Sequence, residues 1–400
     1  MPKLTLKDLD LHGKCVLVRV DFNVPLQLSE MTSCYEVVDD TRIRASLPTI
    51  QTITEAGGKA VLLSHLGRPK GQPDPQYSLA PVADCLSELL GTTPRFSSET
   101  IGPVVQKTVR NMPNGSVILL ENTRYFPEET KNDPDFAAEL TKLGDLFVND
   151  AFGTAHRAHA SNVGVASHFA LAAAGHLLEK ELVQLGHALE APTPPTVALL
   201  GGAKVSDKIG VITNLLEIVD HILIGGAMAY TFLKAKGISI GSSLVEEDRL
   251  SDAQSMLDRA QGKLFLPSDH IVSTALDASE ESKNVFGGIG DGFMGLDIGP
   301  ETVYAYAEKI QNAKTCIWNG PMGVFEVPAF ASGTKAMAQA MASATRNGAV
   351  TIIGGGDSVA AIKQLNLHTE VTHVSTGGGA MLQFLEGKSL PGLDALTDQS

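Results

Sequence analysis

The chain has 400 residues, of which 43% are hydrophobic and 19% charged, a balance typical of globular proteins with ample core material. Lysine and arginine total 31 against 45 aspartate and glutamate, so the net charge of −14 disfavours a general nucleic-acid binder. The apolar stretches are too short and too often interrupted by glycine to predict a membrane span. Four scattered cysteines and an N-terminus without an apolar signal core predict a soluble, cytoplasmic protein.

Short apolar runs rich in β-branched residues alternate along the chain with helical patterns. Continuous apolar runs are typical of strands buried on both faces, and strands that alternate with helices predict an α/β fold with parallel sheets. The predicted strands are Cys15–Val20, Lys59–Leu63, Ser116–Leu120, Asp145–Val148, Thr196–Leu200, His221–Ile224, Thr315–Trp318, Val350–Ile353 and Val371–Val374, and the clearest predicted helices are Leu177–Glu190, Glu301–Asn312 and Phe330–Thr345.

The pattern also predicts a domain boundary. The amphipathic helix Leu177–Glu190 runs into the proline-rich segment 191–195, which cannot continue a helix. This arrangement is typical of an interdomain connector, with an ordinary surface helix and loop as the alternative. We therefore expect two Rossmann-like domains, each with a parallel sheet flanked by helices, over residues 1–176 and 196–388, joined by a hinge helix and linker over 177–195.

The residues that follow the predicted strands indicate two kinds of ligand. Open α/β sheets bind ligands beyond the carboxyl ends of their strands. In the first half of the chain these positions are rich in arginine and histidine, which predicts a local cationic basin. In the second half they are glycine-rich turns that open into helices, where free N–H groups and the helix dipole favour phosphate. A small anion in one half and a polyphosphate in the other suggest group transfer between two substrates.

Seven motifs resemble, in the same order, those of phosphoglycerate kinases: VRVDFNVP (18–25), SHLGRP (64–69), NDAFGTAHRAHAS (149–161), GGAKVSDKI (201–209), WNGPMGVFE (318–326), GGGDS (354–358) and STGGGA (375–380). The resemblance covers nearly the whole chain. It implies reversible transfer of the acyl phosphate of 1,3-bisphosphoglycerate to Mg-ADP, giving 3-phosphoglycerate and Mg-ATP, in line, after domain closure and without a covalent enzyme intermediate. It also implies a monomer, no nucleic-acid or membrane partner, and a C-terminal tail, 389–400, packed on the first domain.

The resemblance implies a substrate site in the first domain. Asp21 and Asn23 would hold the hydroxyl and carboxylate end of 3-phosphoglycerate, and Arg42 would neutralise charge on the transferring phosphoryl. Arg19 is expected to be a structural partner of a carboxylate, and Arg44 to be solvated or ion-paired. A single arginine is more often part of a surface ion pair, but basic residues at successive strand ends favour a phosphate clamp. The predicted substrate-binding set is Asp21, Phe22, Asn23, Arg42, Leu66 and Gly67 with the clamp His65, Arg68, Arg124 and Arg157.

The resemblance also implies a nucleotide site in the second domain. Lys204 and Lys208, four residues apart at a predicted helix start, should share one face, and a solvated lysine pair is the alternative interpretation. Asp357 is a good helix N-cap by local rules, whereas the resemblance implies a ligand of nucleotide-bound Mg²⁺. The predicted nucleotide-binding residues are Gly202, Ala203, Lys204, Lys208, Gly226, Asn319, Pro321, Val324, Glu326, Gly355, Gly356, Asp357 and Ser358, and the predicted catalytic groups are Arg42, Lys204, Gly355 and Gly378.

Other interpretations of the sequence are weaker. Residues 290–295 match GxGxxG, but they follow no apolar strand and open no helix, so a dinucleotide fold of the dehydrogenase type is not expected. His156 and His159 have metal-like spacing without an evident third ligand, so zinc is not expected. A catalytically silent binding or scaffolding homologue should have lost charged residues such as Arg42 or Lys204, and both are present.

Two departures from the family pattern stand near the predicted sites. Residues 26–38 form a longer segment than the short polar turn that is usual there. The segment could reshape the entrance near Arg42, and a neutral surface excursion is the expected outcome. Ala227 replaces a glycine of a triple-glycine run beside the predicted base pocket, which leaves the base preference open.

Overall fold

The structure, a computed structural model, describes residues 2–277 and 282–399 and divides the chain into two compact units. One unit contains residues 1–182 together with 389–400, and the other contains residues 183–388. Each is built on a six-stranded parallel sheet, so the predicted α/β class with two parallel sheets is confirmed. Within the described residues, no helix is long and apolar enough to cross a membrane.

The first unit contains the strands β1 (Cys15–Arg19), β2 (Leu26–Leu28), β3 (Tyr35–Val37), β4 (Lys59–Leu63), β5 (Arg95–Ser97), β6 (Val117–Leu120), β7 (Leu146–Asn149) and β8 (Ala172–Ala174), and the helices α1 (Thr41–Glu55), α2 (Ala80–Leu90), α3 (Pro103–Arg110), α4 (Pro127–Thr130), α5 (Pro134–Thr141) and the start of α6 (His176–Glu190). The sheet order is β5-β6-β4-β1-β7-β8, with all pairs parallel. Helix α6 contains residues of both units.

Central β1 shows why the apolar runs predicted the sheet correctly. Val16, Leu17 and Val18 are wholly buried, as expected for a strand covered on both faces. Edge strands β5 and β8 were not predicted, because one is short and polar and the other is three alanines, a residue depleted in strands. The long segment 26–38 forms the antiparallel hairpin β2–β3.

The second unit contains the strands β9 (Thr196–Leu200), β10 (His221–Ile224), β11 (Leu264–Phe265), β12 (Asp269–Ser273), β13 (Lys283–Phe286), β14 (Met294–Ile298), β15 (Thr315–Asn319), β16 (Val350–Gly354) and β17 (His373–Val374), and the helices α7 (Ile209–Ile218), α8 (Met228–Ala235), α9 (Leu250–Arg259), α10 (Pro300–Asn312), α11 (Ser332–Arg346), α12 (Gly356–Gln364) and α13 (Gly378–Leu385). The main sheet has the order β11-β10-β9-β15-β16-β17, and β13-β12-β14 form a small antiparallel sheet that was not predicted.

The C-terminal tail packs on the first unit, with α14 at Pro391–Asp394. The Gly392 N–H donates to the Ala155 carbonyl at 2.8 Å, and the Leu4 N–H donates to the Thr397 carbonyl at 2.8 Å. The apolar side chains of the tail, Leu390, Leu393 and Leu396, are buried. The tail therefore completes the first unit from a distance of more than two hundred residues.

We expect the substitution Leu390→Ala to lower the free energy of unfolding by about 2–4 kcal/mol, because it removes buried methyl groups and leaves a cavity. Asp394→Ala, at an exposed position of the same tail, is the control and should change stability by less than about 0.5 kcal/mol. Urea unfolding of both variants measures the difference. Equal stability of the two variants would show that the tail does not stabilise the unit.

Candidate functional site

A cationic cavity of about 410 Å³ opens where strands of the first unit's sheet end. Three of its arginines come from the segments after β4, β6 and β7, which confirms that these strand ends converge. No acidic side chain lines the cavity among the described residues. Its lining consists of Arg68, Pro69, Lys70, Gly71, Arg124, Phe126, Pro127, Thr130, Lys131, Arg157 and His159.

The cavity is also lined by basic residue types that the sequence analysis did not assign to it. Lys70 directly follows the SHLGRP motif and His159 lies inside the longest motif, so their closeness to these motifs could have predicted that both line the cavity. Lys131 had no such signal, because it lies in a segment of mixed charge after two glutamates. His65, a predicted clamp residue, is buried rather than part of the cavity lining.

Arg124 shows that the positive charge of the cavity is not fully compensated. Its Nη1 donates to the Gly67 carbonyl at 2.7 Å, while its Nε is buried without a partner within the described residues. Burial, together with the like charges of Arg157 and Arg19, lowers the pKa of Arg124 to about 10. An anion bound in the cavity would offset this repulsion and supply the missing acceptor.

The two histidines of this region are neutral at physiological pH. Burial, followed by the charges of Arg19 and Arg124, lowers the pKa of His65 well below its ordinary value. The same causes lower the pKa of His159 to about 3. The Nδ1 atom of His65 lies 3.1 Å from Nη2 of Arg19, and because a guanidinium only donates, the proton of His65 is on Nε2.

The structure brings Asp21, Asn23 and Arg42 into contact. Nη1 of Arg42, in the first turn of α1, lies 3.2 Å from a carboxylate oxygen of Asp21 and donates to the Asn23 carbonyl at 3.0 Å. The Asn23 side-chain oxygen accepts the Gly67 N–H at 2.9 Å, so its NH₂ group is the part that can face a ligand. Arg42 remains about one-third exposed, which leaves its guanidinium accessible.

Three other predictions for this site need correction or comment. Arg19 is fully buried, and its Nε donates to the hydroxyl of Ser161 at 2.7 Å, which in turn donates to the carboxylate of Glu129. The side chains of Phe22 and Leu66 are buried among core residues. The prediction for Arg44 is confirmed, because it pairs with a carboxylate one helical turn away.

In the second unit, the loops after β9, β10 and β15 are joined by backbone hydrogen bonds. The Gly202 N–H donates to the Pro321 carbonyl at 3.0 Å, and the Gly226 N–H donates to the Met322 carbonyl at 2.9 Å. A Cβ on Gly201 would lie 2.0 Å from the Pro321 oxygen, so only glycine allows this approach. Three predicted base-pocket residues, Gly202, Gly226 and Pro321, therefore lie together.

A buried polar pair lies beside the glycine-rich helix starts. Nζ of Lys208 donates to Oδ1 of Asn319 at 2.7 Å, and burial lowers the pKa of Lys208. Nδ2 of Asn319 is buried and has no hydrogen-bond partner within the described residues. A Cβ on Gly355 would approach this Nδ2 at 3.1 Å, and one on Gly378 would lie 3.4 Å from the Gly355 Cα. The starts of α12 and α13 thus face an unpaired donor, an arrangement suited to phosphate.

Two local predictions about this region are wrong. Helix α7 begins at Ile209, so Lys204 lies exposed in the preceding loop and does not share a helix face with Lys208. Asp357 is not the N-cap of α12, because Gly355 takes that place with a φ of +94°. The positive φ turns the chain directly from β16 into the helix, and the exposed carboxylate of Asp357 falls in the first turn, where the dipole favours it.

The remaining predicted nucleotide residues fall into two groups. The Ser358 hydroxyl is buried and accepts the Gly320 N–H at 2.6 Å, so it also fixes the loop after β15. The Val324 N–H donates to the Leu296 carbonyl at 2.8 Å, which attaches this loop to β14. Ala203 and Glu326, in contrast, are exposed and available to a ligand.

The departures from the family pattern have simple local explanations. Ala227 has φ −65° and ψ −25° before α8, an ordinary helical conformation that alanine adopts without strain. The β2–β3 hairpin contributes Leu26 and Tyr35 to a second cavity of about 200 Å³, which Asn23 and Tyr77 also line. The longer segment therefore adds a wall beside the substrate residues and is not only a surface excursion.

We expect the ring signals of His65 and His159 in the free protein not to titrate between about pH 8 and pH 5, because burial and the neighbouring arginines disfavour their protonation. Unfolded histidines take up protons near pH 6.5, so these two should lower folding stability as the pH falls from about 7 to 5. An NMR titration of the histidine ring signals between about pH 8 and pH 5 tests the first expectation, with exposed His168 as the reference signal. Titration of both buried rings near pH 6.5 would contradict the assignment.

Comparison with known proteins places the chain in a family. The family model for phosphoglycerate kinase matches residues 6–388. The phosphoglycerate kinases of Salinibacter ruber and Thermosipho africanus are 55% and 54% identical, with 100% of this chain and 100% and 99% of the relatives covered. The solved phosphoglycerate kinase of Coxiella burnetii is 42% identical, with a TM-score of 0.88 over 98% of each chain. From this agreement over its whole length, the chain belongs to the phosphoglycerate kinase family.

Proposed function

We propose that the chain catalyses the reversible transfer of the acyl phosphate of 1,3-bisphosphoglycerate to Mg-ADP, giving 3-phosphoglycerate and Mg-ATP. The observation that supports this most directly is the cationic cavity of the first unit, where three arginines converge without an acidic side chain among the described lining residues. A cavity of this kind suits a phosphate that is held but not transferred. The glycine-rich helix starts of the other unit suit a nucleotide.

In the proposed substrate site, Arg68, Arg124 and Arg157 bind the non-transferred phosphate, and His65, which is buried close to Arg124 and Arg157, is the fourth member of this clamp. Asp21 and the NH₂ group of Asn23 hold the hydroxyl and carboxylate end, where the acyl phosphate is attached. Arg42 contacts Asp21 in the free protein and has an accessible guanidinium, so it can neutralise charge on the transferring phosphoryl without a large movement. The backbone of Phe22, Leu66 and Gly67 completes the wall.

In the proposed nucleotide site, Lys208 and Asn319 bind phosphate oxygens together with the N–H groups at the starts of α12 and α13. Exposed Lys204 is free to reach the transferring phosphoryl, and Glu326 binds the ribose. Gly355 and Gly378, with Gly356 and Ser358, contribute the backbone donors. Gly202, Gly226, Pro321 and Val324 line the base pocket, and Ala203 also contacts the nucleotide.

Mg²⁺ is proposed to be bound together with the nucleotide. No group of three or more His, Cys, Asp or Glu side chains forms a protein-only metal site within the described ranges. The exposed carboxylate of Asp357 next to a phosphate-binding helix start nevertheless fits Mg²⁺, which commonly takes one or two carboxylates, phosphate oxygens and waters. When bound, Mg²⁺ would neutralise nucleotide phosphate charge, and Asp357 would hold it in place.

The proposed reaction needs no protein nucleophile or general base. In the direction that consumes ATP, the attacking group is the substrate carboxylate, which is ionised at neutral pH because its pKa should be about 3.5. The protein therefore acts by positioning the reactants, neutralising charge and excluding water.

Because the two ligands must meet, we propose that the two units close when both are bound. We further propose a monomeric, cytoplasmic enzyme.

We expect Arg42→Ala to lower kcat by about 10²–10³-fold, because the variant loses a donor to the developing charge. A coupled assay with Mg-ATP and 3-phosphoglycerate measures this in parent and variant. Arg44→Ala, two residues further along α1 and in a surface ion pair, is the control and should remain close to the parent. Near-normal turnover of Arg42→Ala would remove Arg42 from the mechanism. An inactive parent that binds both ligands would favour a silent homologue.

We expect Asp357→Asn to weaken Mg-ADP binding on the order of tenfold, or about 1.4 kcal/mol, while leaving metal-free ADP binding unchanged. Isothermal titration with and without Mg²⁺ separates a metal ligand from a residue that only supports the helix start. Asp207→Asn is the matched control, since Asp207 is also exposed and close to Lys208. Equal losses for both nucleotide forms would argue against a role in metal binding.

A further inference from the structure

A chain of buried side chains runs behind the wall of the cationic cavity. Helix α4 contributes Pro127 and Thr130 to the cavity lining, whereas Glu129 of the same helix is fully buried. The carboxylate of Glu129 accepts the Ser161 N–H at 2.9 Å and the Ser161 hydroxyl at 2.6 Å. The carboxylate is thus fixed by two hydrogen bonds from one residue.

The chemistry of the side chains determines the direction of each hydrogen bond that links Glu129, Ser161, Arg19 and His65. The Ser161 hydroxyl donates to Glu129, so its oxygen accepts from Nε of Arg19 at 2.7 Å. Arg19 then donates from Nη2 to Nδ1 of His65 at 3.1 Å. A guanidinium has only donors and an ionised carboxylate only acceptors, so the donors and acceptors of these hydrogen bonds cannot be exchanged. His65 at the end of the series is held as the tautomer with the proton on Nε2.

The burial of Arg19 explains why the carboxylate of Glu129 lies at the end of this hydrogen-bonded series opposite His65. Arg19 is wholly buried, and burial together with the charge of Arg157 lowers its pKa, while Glu129 and Asp21 raise it. A buried cation among other arginines is costly unless a negative charge is near. Glu129 also lies near His159, which lines the cavity: its Oε1 is 3.8 Å from Nδ1 of His159.

We propose that Glu129 and Ser161 are positioning residues for the phosphate end of the substrate, acting through Arg19 to keep the Nε2–H of His65 as a donor. The inference rests on the proposed function, in which this region binds the non-transferred phosphate. His65 does not itself line the cavity, but it lies close enough to the lining residues Arg124 and Arg157 for their charges to add to the effect of burial in lowering its pKa. The opposite tautomer would therefore offer a lone pair instead of a donor to an anion bound there. Neither Glu129 nor Ser161 lines the cavity, so their effect on the ligand is indirect.

The test compares Glu129→Gln and Ser161→Ala with the control Glu128→Gln, which changes the neighbouring, partly exposed glutamate of α4. Ser161→Ala is the second variant because it retains the buried charge and removes only the hydroxyl link. The first readout is the ¹⁵N shifts of the His65 ring in the full-length free protein. The parent and control should show the Nε2–H tautomer alone, and both test variants should show a mixture.

The second readout is binding by titration calorimetry. Both test variants should bind 3-phosphoglycerate about tenfold more weakly, with Mg-ADP binding unchanged and kcat at saturation within about threefold of the parent. An unchanged tautomer in both variants would overturn the proposal, as would a changed tautomer with unchanged affinity. Weaker binding with the tautomer intact would also overturn it, since the effect would then not pass through His65. If the parent did not bind 3-phosphoglycerate, the proposed function would be wrong. The ¹⁵N shifts of the His65 ring would still show whether Glu129 and Ser161 control its tautomer.

Discussion

The first unit must hold several arginines close together, partly buried, before any ligand neutralises them. Arg19 and Arg124 both have lowered pKa values, from burial first and from like charges after it. The structure offsets this with two carboxylates placed outside the cavity: Asp21 beside Arg42, and Glu129 one hydroxyl away from Arg19. The cavity itself thereby keeps an uncompensated positive charge for the ligand.

The candidate nucleotide site of the second unit contains fewer charged side chains than the cavity of the first unit. Its ligand is expected to be a polyphosphate, and the donors are mostly backbone N–H groups and the buried Asn319 amide. Glycines at Gly201 and Gly355 allow close approach of neighbouring loops and an abrupt entry into a helix. The buried Lys208 is held by a neutral oxygen of Asn319 rather than by a carboxylate, so its charge remains available. The sites proposed for two different ligands therefore have different electrostatic arrangements on sheets of the same class.

Positions that the sequence did not place correctly share a cause. Strand β8 consists of three alanines, and the start of α12 is set by the positive φ of Gly355 instead of by the best capping side chain. Lys204 and Lys208 have helical spacing, yet a turn separates the first from the helix. In each case the neighbouring elements decided the local conformation, because propensity and capping preferences amount to only about 1 kcal/mol or less.

By itself, the sequence determined the alternation of buried strands and helices, the polar residues at the strand ends and, through its motifs, the family. These follow from local patterns, since apolar runs form buried strands and ligands bind where parallel strands end. Only the tertiary structure decided that Lys70, Lys131 and His159 share a cavity with the arginines, and that Glu129 reaches His65 through Ser161 and Arg19. These residues are far apart in the chain, and burial, which lowers the pKa of His65 and Arg19, exists only once the chain has packed.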